Sequence, residues 1–548
     1  MGELTWLAAT VLFMVICRYL MAARSSQIAV EPAQSHSFPS VRLSFDREML
    51  AAPSQATFLV ATTAMVGAAV TFSPMLGAAI GGLALGLGFL TLGQRIVPLF
   101  LVAMCLGLGG YMFFGRGFAY AGIPPLFVSE ALLGLALLAL AYTFSLRQFT
   151  ALHVLLVLFV AWGLLRTAPF VGTYGIDALR DAVVWGYAIF ALAAANVVSL
   201  KFFQRIGNGL ASVLPIFLLW VPVLAVLDLA GVIPRWPQSG IPVAIFKPGD
   251  MAVHLAGMAA LVISGMYASS GARRLPPSVF WTLVIVAFTF VAATNRAGFL
   301  TVSLAISAAF LLWPSRQFFS FSAVAMIIIV VFTVVNPSLK FAGVSREIGP
   351  DQIVRNVASI VSSSETGGEA GLQDTKNWRQ RWWEKVWGYT VHGPYFFDGK
   401  GYGINLSNAD GFQTLSDGSS RSPHSGHITI LARSGVPGLA LWLLIQVWFG
   451  VAMCRTLLRA RRMASHFWAQ MDTWILIYWL AMLVNLSFEV YIEGPQGGIW
   501  FWTMIGLGMG AMRLQGQQLN DHPLHADQKE GAKSNRASWN APADLSRP

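Results

Sequence analysis

Apolar runs recur along the whole chain, each about 15 to 20 residues long and near the length a helix needs to cross a bilayer. They predict about fifteen spans, at 4–22, 56–72, 75–92, 96–114, 124–144, 151–166, 183–200, 209–229, 250–268, 278–294, 299–313, 321–337, 427–452, 472–490 and 496–512. Gly-rich 75–92 also fits a re-entrant segment. No small-residue cleavage site follows Leu4–Met21, which therefore reads as a span rather than a signal peptide. Between 338 and 423 the pattern changes: these 86 residues hold nine basic and nine acidic side chains, too many residues for a mere connector. Inside that segment Ile353, Val354, Val357, Ile360 and Val361 repeat at helical spacing, and the Ser/Gly-rich stretch 362–371 ends the repeat. A second helix is predicted at Asn377–Val391, with Trp378, Trp382, Trp383 and Trp387 suited to a membrane surface or to sugar rings. From Gln515 on, the chain is polar and without periodicity, as in a disordered tail.

The expected organisation is an N-terminal span and linker (1–55), a helical membrane region (56–337), a loop domain (338–423), C-terminal spans (424–513) and a tail (514–548). Charged residues are 11% of 548 and hydrophobic ones 56%, and mean hydropathy is +0.62, so the class is an all-α polytopic membrane protein. The net charge of +11 sits largely in short loops, which makes it a topology signal rather than a nucleic-acid surface. With the N-terminus outside, eleven Lys and Arg fall in short inner loops between 93 and 471, against six in outer ones. Arg455, Arg459, Arg461 and Arg462 are the densest group on the inner side. This orientation puts 338–423 outside and the C-terminus in the cytoplasm. Cys17, Cys105 and Cys454 are far apart, with no metal or redox spacing.

Three places hold charge where it is costly. Arg296 lies between two spans about four residues apart, at or below the outer interface, so it either binds an anion or anchors the hairpin among headgroups. Arg379 and Arg381 flank Gln380 in the Trp-rich helix; arginine forks grip phosphate in bidentate fashion, although taken alone the pair is better read as a solvated face paired with Glu384. Ser422 and Pro423 look like an N-cap and a first-turn proline, which would set His424 in the first turn of the next span. There a neutral imidazole could act as general base. His427 makes a metal pair conceivable, but no third ligand follows at zinc-like spacing, so no metal is expected. Gly435, Pro437 and Gly438 interrupt the same helix. Arg180 and Asp181 are expected to neutralise each other, and Glu489 to support the site. The chain contains neither a P-loop nor an Asp-x-Asp pair, so no nucleotide or other cofactor is expected.

Asn295-Arg296-Ala297-Gly298-Phe299-Leu300, Trp378-Arg379-Gln380-Arg381-Trp382-Trp383 with Gly399-Lys400-Gly401-Tyr402-Gly403, and His424-Ser425 with Leu431, Gly435, Pro437 and Gly438 together resemble the O-antigen ligase and polymerase superfamily of bacterial membrane glycosyltransferases. The resemblance spans roughly 150–510. Ser425 stands where that family usually has asparagine, and Arg433 where an acidic residue is common. The resemblance implies a GT-C-like helical bundle in the inner membrane and a periplasmic site. It also implies an undecaprenyl-diphosphate-linked glycan as donor, a second glycan or a lipid A core as acceptor, and metal-independent transfer with inversion. Arg296 and Arg379 would then bind the diphosphate and His424 would activate the acceptor, with Arg381, His427, Arg180 and Glu489 in support. Membrane lipids surround such a protein, and a chain-length regulator or export complex is an expected partner. Two other readings stay open: a flippase or transporter of lipid-linked sugars, and a scaffold of an export complex.

Overall fold

The computed structural model describes residues 80, 83, 86, 92–123, 126–145, 149–270, 275–335, 353–354, 370–414 and 418–520. The expected spans at 4–22, 56–72 and most of 75–92, the helical repeat at 353–361 and the tail beyond 520 lie outside these residues. In chain order the helices are α1 (Ile96–Phe114), α2 (Val128–Thr143), α3 (Ala151–Tyr174), α4 (Ile176–Gly186), α5 (Ala188–Val197), α6 (Leu200–Leu229), α7 (Pro248–Ile263), α8 (Met266–Ser269), α9 (Pro277–Thr294), α10 (Arg296–Leu312), α11 (Gln317–Val335), α12 (Ala370–Val391), α13 (Leu406–Asp410), α14 (Gly426–Arg462), α15 (His466–Phe488) and α16 (Pro495–Asn520). A two-residue antiparallel ribbon, Gly122–Ile123 with Leu126–Phe127, precedes α2. The chain is an all-α polytopic membrane protein. Among the described residues six helices are long and apolar enough to cross a bilayer, or seven if α4 and α5, bent by 42°, count as one span.

Helix α7 is the centre, with every residue from Gly249 to Ile263 buried. It packs against α9, α10 and α15. A Cβ on Gly257 would lie 2.6 Å from the Tyr478 ring, and the Trp474 indole donates to the Gly257 carbonyl at 3.1 Å, so α15 lies directly on the α7 backbone. Gly265, left-handed at φ 86°, ends α7 earlier than the expected span 250–268. Helices α5 and α16 make a second close seam. A Cβ on Gly506 would lie 2.6 Å from the Ala191 carbonyl oxygen, and one on Gly510 would overlap Val198. Small residues let backbones approach where lipid supplies no hydrophobic drive.

The tail begins later than the sequence suggests. Gln515 is buried and donates to both carboxylate oxygens of Asp472 at 2.9 and 3.0 Å, and Gln518 accepts from Trp468 at 2.7 Å. Partners on α15 thus carry α16 through residues that look like polar tail.

Replacing Gly506 by leucine should force α5 and α16 apart at a cost of about 1–3 kcal/mol. Thermal unfolding in detergent should show a lower midpoint than the wild type, and an unchanged midpoint would mean that the seam is loose.

Candidate functional site

Helix α14 is broken at Gly435 (φ 68°, ψ −171°), with Pro437 just beyond. The segment 396–401 closes that break. Lys400 and Gly401 donate their N–H groups to the Ala432 and Arg433 carbonyls at 2.7 and 3.0 Å, and Trp162 of α3 donates to Ser434 O at 2.9 Å. In return Val436 N–H donates to Phe396 O at 2.7 Å. Gly399 and Gly401 adopt positive φ (59° and 81°), and a side chain on either would also collide with α14 or with Phe170. The glycine-rich motif is therefore a docking strip for a broken helix.

Arg433, fully buried, is part of the same seam. Its guanidinium contacts Asp181 at 2.9 Å and the carbonyls of Gly401 and Ile404. Asp181 also accepts from Gly403 N–H at 3.0 Å and from Arg421 at 3.2 Å. The expected Arg180–Asp181 pair is thus corrected: Arg180 is exposed and faces Asp177 at 3.6 Å, because Asp181 turns inward to the loop. The loop has its own small core. Trp382 is buried and donates to Asp410 at 2.8 Å, Phe412 stacks on it at 5.3 Å, and Lys400 pairs with Asp410. Trp383 donates to Pro423 O at 2.8 Å. Those two indoles hold the loop together, while Trp387 stays exposed. Arg381 is exposed and reaches back to Asn377 O.

A second polar constellation forms where five segments meet. Asn295 caps α10 by accepting from Gly298 N–H at 2.9 Å, and its amide donates to Glu489 at 3.0 Å. Arg296, next in sequence, is the first residue of α10. Glu489 is buried just past the end of α15, 3.8 Å from Lys247, which also lies 3.6 Å from Asp250. Burial pushes the Glu489 carboxyl up, but Lys247, the Asn295 amide, Arg379 and His424 outweigh it and hold the group below its ordinary pKa, ionised at neutral pH. Burial likewise opposes the Lys247 ammonium, and Asp250 and Glu489 reverse that. Arg379 comes from α12 and donates to Phe488 O at 2.8 Å, a cation at the negative end of α15. Its Nε is buried and makes no hydrogen bond.

His424 corrects one expectation. Helix α14 begins at Gly426 with Ser425 as N-cap, so His424 lies before the helix, not in its first turn. The reason is its backbone, left-handed at φ 53°, which no α-helical first turn can contain. The ring lies 5.9 Å from that of Trp378, and its Nδ1 is buried without a hydrogen-bond partner. Burial first, then Arg379 and Lys247 against the opposing Glu489, lower its pKa to about 4, so the imidazole is neutral at physiological pH. His427 has both nitrogens engaged: Trp442 donates to Nδ1 at 3.0 Å, and Nε2 meets the Ser487 hydroxyl at 3.2 Å. It pins α14 to α15. Among the described residues no three His, Cys, Asp or Glu side chains form a metal-binding group.

Two members were harder to see in the sequence. In sequence Lys247 counts only as a loop charge, although Lys247-Pro248-Gly249-Asp250 carries the first-turn proline and acid of a helix start. Asn295 stands beside Arg296 in its motif, and its dual bonding needs the distant Glu489.

The family model for O-antigen ligase (Wzy_C) matches residues 281–443, from α9 through the loop and into α14. That match is consistent with the O-antigen ligase and polymerase superfamily. It supports a role in joining or polymerising glycans, and glycosyl transfer as the activity. Comparison with curated proteins gives no significant match.

Because the folded imidazole resists protonation, the unfolded chain binds the extra proton between pH 6.5 and about 4, and stability falls as pH drops through that window. Glu489, lowered in the folded state, adds a loss in the same direction at more acidic pH. Thermal midpoints measured at pH 7.5 and 5.0 should therefore drop more for the wild type than for His424→Gln. Equal drops would remove His424 from a buried, neutral environment.

Proposed function

We propose that the protein is a glycosyltransferase that takes a glycan from an undecaprenyl-diphosphate-linked donor. It joins that glycan to an acceptor sugar at the periplasmic face of the bacterial inner membrane. One observation carries this reading: His424 Nδ1 and Arg379 Nε, both buried and unpartnered, belong to one constellation with an ionised Glu489. A buried donor left unsatisfied costs about 1–3 kcal/mol, and a bound anion would recover it.

In the proposed step the acceptor hydroxyl attacks the anomeric carbon and gives its proton to His424. The bond between that carbon and the diphosphate oxygen breaks, and its electron pair leaves with the diphosphate. Arg379 and Arg296 stabilise the departing charge. Direct displacement inverts the anomeric centre, and no metal takes part. A diphosphate on Arg379 would offset one charge that depresses the imidazole, so the base strengthens once the donor is bound. Glu489 then faces the imidazolium and stabilises it. The segment 338–423 is periplasmic in this reading, and the acceptor is either a second lipid-linked repeat or a lipid A core.

Purified protein given a diphospholipid-linked glycan and acceptor, without nucleotide, should release the lipid diphosphate in the presence of chelator. Loss of activity on chelation would overturn the metal-free mechanism. Arg379→Gln should lower kcat on the order of 10²–10³-fold, as loss of a preorganised charge donor does. His424→Ala should lower it on the order of 10²–10⁴-fold, and full activity of that variant at normal expression would remove the general base. A deletion strain that accumulates single lipid-linked repeats identifies a polymerase, whereas complete unattached chains identify a ligase. A cysteine replacing the exposed Asn408 should react with an impermeant thiol reagent in whole cells; reaction only after lysis would reverse the orientation.

A further inference from the structure

We propose that Tyr395, Phe396 and Phe397 form a membrane anchor, inserted among the acyl chains of the leaflet nearest the site. These three consecutive aromatic side chains are 38%, 37% and 66% exposed. Their backbone is fixed. Tyr395 N–H donates to Tyr389 O at 3.0 Å, Gly399 N–H to Tyr395 O at 3.0 Å, and Val436 N–H to Phe396 O at 2.7 Å. Asp398, next in line, is held by Arg166 of α3 through its carbonyl at 2.8 Å and its carboxylate at 3.2 Å. The aromatics are thus presented outward from a rigid support.

Depth follows from α3. Its lipid-facing stripe is Val154, Val157, Leu158, Ala161 and Leu165, with Leu165 53% exposed. Arg166, which holds Asp398, is one residue beyond Leu165. At about 1.5 Å per residue it lies roughly 22 Å along the helix from Ala151, toward the polar boundary of a hydrocarbon layer about 30 Å thick, where the exposed Asp398 carboxylate stays hydrated. Trp162, one turn lower, bonds Ser434 next to the break that Phe396 closes. The aromatic triplet therefore continues the lipid-facing surface of α3 sideways, at the same level. A polar solvent there would meet an apolar patch, whereas acyl chains extend the surface they already cover on α3. Aromatic side chains are favoured at the polar boundary of the bilayer, and Asp398 with Arg166 forms the charged upper edge.

The test does not depend on the reaction proposed above. A nitroxide is attached at Phe397→Cys in full-length protein with Cys17, Cys105 and Cys454 replaced by serine, reconstituted in phosphatidylethanolamine and phosphatidylglycerol vesicles. Collisions with oxygen and with a water-soluble nickel chelate are then compared with those of a label at Asn408→Cys. The expected result is a severalfold higher ratio of oxygen to nickel collisions at 397 than at 408. A ratio equal to that at 408 would place the triplet in water and overturn the proposal. Low collision rates with both reagents would mean protein covers it, and would overturn it equally. Phe396→Cys supplies a second position if the 397 variant does not fold.

Discussion

A helix broken inside a bilayer leaves carbonyl and amide groups that no water can reach, and something in the protein must pair with them. At the Gly435 break of α14 that partner is the segment 396–401, which gives two N–H groups, takes one, and leaves the third carbonyl to Trp162. The loop cannot move away without leaving those groups unpaired, so it is packed into the helical bundle rather than appended to it. The glycines at 399 and 401 serve this close approach. The same docking fixes Pro423, through Trp383, and therefore the backbone at His424.

Charge is distributed by the same logic. Asp181 gathers two arginines and a backbone amide at the loop seam, and its charge is spent on structure. Glu489 gathers Lys247 and the Asn295 amide, with Arg379 and His424 close enough to influence its ionisation. Each cluster leaves a buried donor unused, Arg421 Nε beside Asp181 and Arg379 Nε beside Glu489, and the second adds the unpartnered Nδ1 of a neutral His424.

Periodicity made the helices legible. The run 96–114 coincides with α1, and 278–294 and 427–452 locate α9 and the start of α14 within a residue. The breaks were less visible: the bend between α4 and α5 and the left-handed Gly265 depend on packing, which apolar content does not encode. Arg379 and His424 were legible as costly charge near a membrane. Structure brings Arg379 to the end of α15 and assigns His427 and Arg433 to packing. Proline before His424 pointed to a helix start, but the αL backbone at His424 moved that start three residues on, from Pro423 to Gly426. Lys247 and Asn295 gained meaning only through Glu489, about two hundred residues away.

Asn295, Arg379, His424 and Glu489 leave the ribosome in that order, and the carboxylate that joins them comes last. Until α15 is inserted, Arg379 lacks the Phe488 carbonyl as a partner. Until α14 is inserted, the glycine strip has no broken helix to dock on. The loop must therefore wait for α14 and α15, which follow it in the chain. A chain stopped before Phe488 carries most of the constellation's side chains without the carbonyl and the carboxylate that join Arg379 and Asn295 to it.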